Sequence, residues 1–223
     1  MKNFMDLLID AINRVDNPTV MGLDPNLDFV PEHIVMDVVN RIEDPQERAA
    51  EMMYEFNRGL LEAVQGVIPA VKPQLAYYEM YGSPGVEAFA RTCRLAKAMG
   101  YIVIADGKRN DIGSTAACYA KGYLSAIDYP CGKTARSFES DALTVNPYLG
   151  QDGIAPFMES GAPKQRGAFA LLRTSNPSSR DLQDLQLADG RRVYEAVADL
   201  LDEWGRAYRG DNGYSALGAV VGA

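Results

Sequence analysis

The densest group of residues that could carry out chemistry lies in the run IADGKRNDIGST, at positions 104–115. Asp106 and Lys108 stand two residues apart after an apolar run, and Asp111 follows in what we expect to be a loop. Side chains two apart on a strand point to the same face, so Asp106 and Lys108 are expected to share one face. Neighbouring carboxylates favour the charged form of a lysine. The spacing therefore predicts an ammonium group held between negative charges.

A second lysine, Lys72, closes another apolar run in the sequence VIPAVKP. If the two runs are neighbouring strands, the two lysines and the two aspartates lie together at the ends of the strands, where positive and negative charges alternate. An unpaired buried charge is very costly, whereas an alternating set offsets its own desolvation. The plainer interpretation is a solvated charge cluster after a strand. The apolar run before the cluster, and the small, apolar segment IGSTAACYA after it, favour a functional site.

The elements that must position these charges are short apolar runs, which we interpret as strands. They are nearly continuous in apolar residues, as expected of parallel strands that are buried on both faces. The predicted strands cover residues 19–24, 67–73, 101–106, 142–146, 168–173 and 216–223. Amphipathic patterns between them predict helices over residues 4–15, 45–64, 86–99 and 193–204. Strands alternating with helices indicate βαβ units and an α/β fold.

Two α/β architectures fit this pattern, an open doubly wound sheet and a (β/α)8 TIM barrel. The first strand leads into Gly-Leu-Asp-Pro rather than GxGxxG, which disfavours a dinucleotide-binding sheet. Polar residues lie at the C-terminal end of nearly every predicted strand, which is where barrel enzymes carry their catalytic groups. They are Asp24, Lys72, Asp106, Lys108, Asn146 and Arg173 to Ser175. We therefore predict a single (β/α) barrel domain over residues 1–223.

The predicted strands fall short of a complete barrel. About six of eight strands are visible, and a full barrel usually needs about 250 residues. The last predicted strand also runs to the end of the sequence. We therefore expect the barrel to be incomplete at its C-terminus, and the chain to be part of a longer protein.

Composition argues against several classes of function. The sequence has one histidine, His33, which disfavours a Ser-His-Asp triad and multi-histidine zinc sites. A net charge of -8, without a lysine or arginine cluster, disfavours nucleic acid and anionic membranes as partners. Three cysteines without CxxC spacing, and a first segment unlike a signal peptide, predict a reduced, cytoplasmic protein.

The run IADGKRNDIGST closely resembles the D-x-K-x-x-D-I-x-x-T signature of the orotidine 5'-phosphate decarboxylase family. Further segments resemble that family, in its longer, bacterial-type branch, and occur in the same order along the chain. They are Gly22 to Pro25, Val71 to Glu79, Thr144 to Gly150 and Arg173 to Pro177. The resemblance thus covers essentially the whole sequence.

The resemblance implies an enzyme that converts orotidine 5'-monophosphate to UMP and CO2 in pyrimidine synthesis, without a metal or cofactor. It implies that Lys108 is the acid that protonates C6. Asp106 would crowd the substrate carboxylate and hold Lys108, and Lys72 would link the ribose to the charge network.

The same resemblance implies a set of substrate-binding residues and a partner. Asp24 would bind a ribose hydroxyl, and Ser175, with Pro177 in the same segment, would bind the pyrimidine edge. Members of the family are homodimers with sites at the subunit interface. Asp111, Ile112 and Thr115 would therefore reach into the partner's site.

One departure from the family leaves alternatives open. The family's last two strands, with a phosphate-binding arginine, and the lid after the sixth strand have no counterpart in residues 1–223. Because phosphate binding commonly drives lid closure, we expect the 223-residue chain to be nearly inactive. A Mg²⁺-dependent sugar-phosphate decarboxylase or hexulose-phosphate synthase that shares DxKxxD is one alternative. An inactive fragment that supports only dimerisation is the other.

Overall fold

A computed structural model describes residues 2–222 as helices and strands that alternate along the chain. Its helices are α1 (Phe4–Val15), α2 (Glu32–Arg41), α3 (Pro45–Ala63), α4 (Ala76–Glu79), α5 (Gly82–Ala98), α6 (Gly113–Leu124), α7 (Ala155–Gly161) and α8 (Val193–Gly205). Its strands are β1 (Val20–Leu23), β2 (Ala70–Pro73), β3 (Ile102–Arg109), β4 (Ile127–Asp128), β5 (Thr134–Ala135), β6 (Ala142–Val145), β7 (Gly167–Arg173) and β8 (Leu217–Val221).

Helix α3 shows how the local sequence sets where an element begins. The Asp44 carboxylate accepts hydrogen bonds from the backbone N–H groups of Gln46 and Glu47, both at 2.9 Å. These bonds satisfy donors that have no partner inside the helix. Pro45 occupies the first helical position, where a missing N–H costs nothing. The helix therefore begins where the apolar periodicity predicts it.

The chain forms two compact units, and the N-terminal unit comprises Leu8–Gly107 with Ser137–Ser140. In it β1, β2 and β3 run parallel, with β2 in the middle, and Gly22 of β1 stands opposite Lys72 of β2. Helices α3 and α5 pack against each other in the same unit. The buried core of this unit includes Met53, Leu61, Val71, Phe89 and Val103.

The C-terminal unit comprises Met1–Leu7, Lys108–Arg136 and Asp141–Ala223. Its strands β6, β7 and β8 are parallel, with β7 in the middle. The last residues of β3 belong to this unit and lie beside the end of β6, where the Asn146 N–H donates to the Arg109 carbonyl at 3.0 Å. Strands β4 and β5 form a separate antiparallel pair.

All six predicted strands are found among residues 2–222, as three parallel strands in each unit, with shifted ends. Strand β2 begins at Ala70 rather than at 67, because a turn over residues 64–67 precedes it and contains Gly66 at φ 77°. Strand β3 continues to Arg109, beyond its predicted end at Asp106. The predicted last strand is observed at Leu217–Val221, and its final predicted residue, Ala223, lies outside the described residues.

Four helices and the hairpin of β4 and β5 were not predicted. Helix α6 consists largely of glycine, alanine and other small residues, so it lacks an apolar stripe. Helices α4 and α7 are only 4 and 7 residues long. Helix α2 has a single buried residue, Val38. Periodicity detects long amphipathic helices best, which explains the omission of α4, α6 and α7.

None of the helices within residues 2–222 is both long enough and apolar enough to cross a membrane.

Candidate active site

In the N-terminal unit, the carboxyl ends of β1, β2 and β3 bring together polar side chains from three parts of the sequence. The register places Gly22 opposite Lys72, so the lysine has no side chain beside it on β1. Gln74, two residues after Lys72, follows β2 and forms a parallel backbone bridge with Asp106 of β3. Because side chains two apart share a face, Lys72 and Gln74 leave β2 on the same side. The strand ends thereby build a polar layer.

Asp106 is the centre of this layer. It is 6% exposed, and its carboxylate oxygen Oδ2 accepts from Lys72 Nζ at 2.8 Å and from Gln74 Nε2 at 2.9 Å. A buried carboxylate is tolerated only when it is paired and hydrogen-bonded, and both conditions are met here. The structure thus brings Lys72 and Asp106 into direct contact, as an ion pair with a half-buried lysine.

Asp24 lies at the end of β1, one residue after Leu23, and its side chain is exposed. A Cβ atom placed on Gly22 would lie 3.2 Å from Asp24 Oδ1, so the glycine leaves space for that carboxylate. The Leu23 carbonyl accepts from the Gln74 N–H at 3.1 Å, which holds the residue before Asp24 against the segment after β2. An exposed carboxylate on a fixed strand end is suited to bind hydroxyl groups.

In the C-terminal unit, Lys108 occupies an unusual backbone conformation. Its φ is 46°, in the left-handed region that few residues other than glycine adopt, and its side chain is exposed. The Lys108 N–H donates to Thr144 Oγ1 at 2.9 Å, and Thr144 is itself 3% exposed. The alternation of side chains assumes an extended backbone, which Lys108 does not have. A shared face for Asp106 and Lys108 therefore stays a prediction.

The segment between β3 and α6 contains the three residues that are expected to serve a second subunit. Asp111 Oδ1 accepts from the Ile112 N–H at 2.8 Å, one residue before α6 begins at Gly113. Ile112 is 53% exposed, and Thr115 is exposed in the first turn of α6. An isoleucine that is half exposed beside polar groups is available for contact with another molecule.

The segment after β7 contains Ser175 and Pro177, which are both exposed. The Thr174 N–H donates to Gln183 Oε1 at 2.9 Å, and Gln183 Nε2 donates to Thr174 Oγ1 at 2.8 Å. Arg173 forms an ion pair with Asp184. These contacts hold residues 173–174, at the start of the segment, against residues 183–184.

Sequence reasoning gave no role to Gln74 or Thr144, which contact proposed catalytic residues in the structure. Gln74 stands two residues after Lys72, so the period of a strand places both on one face. Thr144 is a polar residue inside an otherwise apolar strand, and a buried polar group needs a partner. Both signals were present in the sequence, but the partner of each residue could be identified only from the register of the strands.

Among residues 2–222, no three His, Cys, Asp or Glu side chains gather as a potential metal site.

Known proteins resemble this chain over its whole length. The model of the orotidine 5'-phosphate decarboxylase / HUMPS family matches residues 46–223. An orotidine 5'-phosphate decarboxylase of Caldicellulosiruptor saccharolyticus is 41% identical over 223 residues, which are 100% of this chain and 72% of the relative. A second, of Rhodopirellula baltica, is 40% identical over 223 residues, which are 100% of this chain and 71% of that protein.

A solved structure agrees with these sequence comparisons. The structure of Leishmania donovani OMP decarboxylase matches with a TM-score of 0.69 at 30% identity, over 98% of this chain and 70% of that chain. This likeness confirms the predicted α/β barrel class. With a family model that spans most of the chain and relatives about 40% identical, the chain belongs to the orotidine 5'-phosphate decarboxylase / HUMPS family.

Proposed function

We propose that the protein decarboxylates orotidine 5'-monophosphate to UMP and CO2 without a metal or cofactor. The observation that carries this proposal is the buried Asp106 carboxylate, which accepts from Lys72 at 2.8 Å at the strand ends. The expected signature continues through Lys108 and Asp111, and relatives with 41% and 40% identity are named for this activity.

Lys108 is the proposed proton donor. Loss of CO2 breaks the bond from C6 to the carboxylate carbon and leaves the electron pair on C6, where the ring offers no electron sink. A nearby ammonium stabilises that charge and transfers its proton to C6, which leaves a neutral amine that water reprotonates. The exposed side chain of Lys108 is accessible to a substrate.

Asp106 is proposed to act on the substrate carboxylate. Two carboxylates about 4 Å apart repel each other by roughly 4 kcal/mol at an effective dielectric constant of 20. The repulsion disappears as neutral CO2 leaves, so it raises the energy of the bound substrate. Lys72 would then connect Asp106 to the ribose, and the exposed Asp24 would bind a ribose hydroxyl. Ser175 and Pro177 would contact the pyrimidine.

We further propose that the protein acts as a homodimer in which Asp111, Ile112 and Thr115 complete the partner's site. The exposure of Ile112 at the start of α6 supports this arrangement. A reducing, cytoplasmic location is supported by Cys118 and Cys131, which are exposed thiols.

Decarboxylation followed by ultraviolet absorbance, in the presence of EDTA, tests the reaction. Turnover of orotidine 5'-monophosphate that Lys108→Ala abolishes would support the proposal, and we expect the 223-residue chain alone to show only slow turnover. The matching family also includes HUMPS proteins. The alternative function is therefore that of a Mg²⁺-dependent hexulose-phosphate synthase or sugar-phosphate decarboxylase. Turnover of a sugar phosphate that EDTA abolishes would replace our proposal with this second function. A dimer without either activity would support the interpretation as an inactive fragment.

A further inference from the structure

Gln74 makes a contact with the proposed reaction centre that the mechanism above does not use. Its side-chain Nε2 donates to Asp106 Oδ2 at 2.9 Å, the oxygen that also accepts from Lys72 Nζ at 2.8 Å. The two donors differ in kind, since one is a charged ammonium and the other is a neutral amide. They also differ in the length of the side chain that carries the donor.

The backbone of Gln74 is held from both sides. Its N–H donates to the Leu23 carbonyl of β1 at 3.1 Å, and the N–H of the next residue, Leu75, donates to the Asp106 carbonyl at 3.1 Å. The base of the Gln74 side chain is therefore fixed relative to Asp106. Lys72 instead reaches the carboxylate through a flexible four-carbon chain that is 34% exposed. An ammonium acts as a point charge and does not by itself fix the plane of a carboxylate.

We propose that Gln74 is a positioning residue that fixes the orientation of the Asp106 carboxylate for decarboxylation. The proposal rests on the proposed function. A neutral donor suits this role, because it adds no positive charge that would weaken the repulsion between Asp106 and the substrate carboxylate. The amide fixes the direction of the carboxylate without changing the charge around it.

Two substitutions separate positioning from a merely structural contribution. Gln74→Met keeps the length of the side chain and removes the donor. Gln74→Glu places a carboxyl group beside Asp106, and two carboxyl groups that share a site raise the pKa of one of them. Below that raised pKa the introduced carboxyl is protonated, and it can donate to Asp106 as the amide does. Gln46→Glu, at an exposed position in the first turn of α3, controls for the added negative charge.

Steady-state kinetics between about pH 5.5 and 8.5 is the experiment, with each variant expressed relative to the unsubstituted protein at the same pH. We expect Gln74→Met to lower kcat by about 10- to 100-fold at every pH, with KM changed by less than about threefold. We expect Gln74→Glu to be equally impaired at high pH and to recover at least about tenfold on acidification. Gln46→Glu should retain its activity throughout.

The possible outcomes distinguish this inference from the proposed function. Normal kcat in Gln74→Met, with turnover intact in the unsubstituted protein, would overturn the role of Gln74 and leave the reaction standing. An impaired Gln74→Glu whose relative activity does not change with pH would also overturn it.

If the unsubstituted protein has no turnover, the proposed function fails, and thermal unfolding then tests the contact alone. A Tm deficit of Gln74→Glu that shrinks on acidification would support the contact with Asp106, whereas a deficit that is independent of pH would contradict it.

Discussion

At the scale of single residues, the most informative feature is the backbone of Lys108. Outside glycine, a left-handed conformation costs of order 1–3 kcal/mol and persists only where surrounding contacts enforce it. Here the φ is 46°, and the bond from the Lys108 N–H to the buried Thr144 hydroxyl supplies such a contact. Residues held in this way cluster at sites of function, which agrees with the role proposed for Lys108.

A pair of substitutions at this position should separate activity from stability. Lys108→Ala and Lys108→Gly both lack the ammonium group, so both should lose decarboxylation. Glycine adopts a positive φ without steric cost, so we expect Lys108→Gly to be more stable than Lys108→Ala by about 1 kcal/mol. Urea unfolding of the two variants measures this difference. An alanine variant that is as stable as the glycine variant would show that the left-handed conformation carries no strain.

Of the predicted site residues, Lys72 and Asp106 are the two that the structure brings into direct contact, and the roles of the others stay predictions. The alternating charges after an apolar run identify Asp106, Lys108 and Lys72, and the contact between Lys72 and Asp106 is found at 2.8 Å. The left-handed φ of Lys108 could not be predicted, because local sequence rules assign that conformation to glycine and asparagine. Gln74 was not assigned a role, because its partner depends on the register between two strands.

At the scale of elements, the first turn of α1 is joined to a distant loop. Asn3 and Asp6 form reciprocal hydrogen bonds, each of 2.9 Å, between their side chains and backbone N–H groups. The Asp6 carboxylate also accepts from the N–H groups of Asp211 and Asn212, both at 2.9 Å. One buried carboxylate thus caps a helix and fixes the loop that precedes β8.

This arrangement predicts a dependence of stability on pH. The hydrogen bond from the Asn3 N–H, opposed by burial and reinforced by the Asn212 and Asp211 N–H groups, holds the pKa of Asp6 below its ordinary value. The folded protein then binds fewer protons than the unfolded chain. The contribution of the Asp6 carboxylate to the stability of the fold is therefore complete above its ordinary pKa of about 4. It is lost as the pH falls through the lower pKa that Asp6 has in the folded protein.

We expect Asp6→Asn to be less stable than the unsubstituted protein at neutral pH, and the difference to shrink on acidification below about pH 4. Denaturant titrations at a series of pH values provide the measurement. Asp10→Asn, on the same helix and exposed, is the matched control. A difference that stays constant with pH would contradict the role of the Asp6 charge.

Close packing between α4 and α5 predicts a contrast between two glycines. A Cβ atom on Gly85 would clash with the carbonyl oxygen of Tyr78, which is backbone and cannot move aside without disturbing α4. A Cβ atom on Gly59, exposed in α3, would meet nothing within 4 Å. We expect Gly85→Ala to cost at least about 1–3 kcal/mol of unfolding free energy.

Gly59→Ala is the control for the general effect of removing a helical glycine, and should stabilise the protein by about 0.5–1 kcal/mol. Urea unfolding of both variants tests the contrast. Equal stability changes would mean that the contact between Gly85 and Tyr78 is not tight in solution.

The elements themselves divide into those that local sequence predicts and those that it does not. Helix α1 was predicted with its observed ends, Phe4 and Val15, since its apolar stripe is regular and long. Helix α6 was not predicted, because its small side chains form no stripe and its packing depends on the neighbouring α7. Strand ends shifted by up to three residues, because turns and neighbouring strands set them rather than composition.

At the scale of the whole molecule, the proposed dimer predicts that two inactive variants regain activity when they are mixed, which a monomer could not do. Lys108→Ala and Asp111→Ala should each be inactive alone. In a mixed dimer one site carries both changes and the other carries neither, so dissociation and random reassociation should restore about a quarter of full activity. Activity after mixing measures this complementation.

Lys108→Ala mixed with Lys72→Ala is the matched control. We place both lysines in the site of their own chain, so every site in that mixture keeps one defect and no activity should return. Recovery in neither mixture would show that Asp111 serves its own chain.

The bonds around Asp6 also bear on how the chain folds during synthesis. The backbone donors lie 205 and 206 positions after the acceptor carboxylate, so they leave the ribosome long after it. Domains generally fold as units, and residues 8–107 form most of one unit, whereas Asp6 belongs to the other. The Asp6 carboxylate therefore stays exposed, without these two donors, until translation has passed residue 212. Slow codons before that point would lengthen the exposure, and a chaperone that binds the segment would shield it.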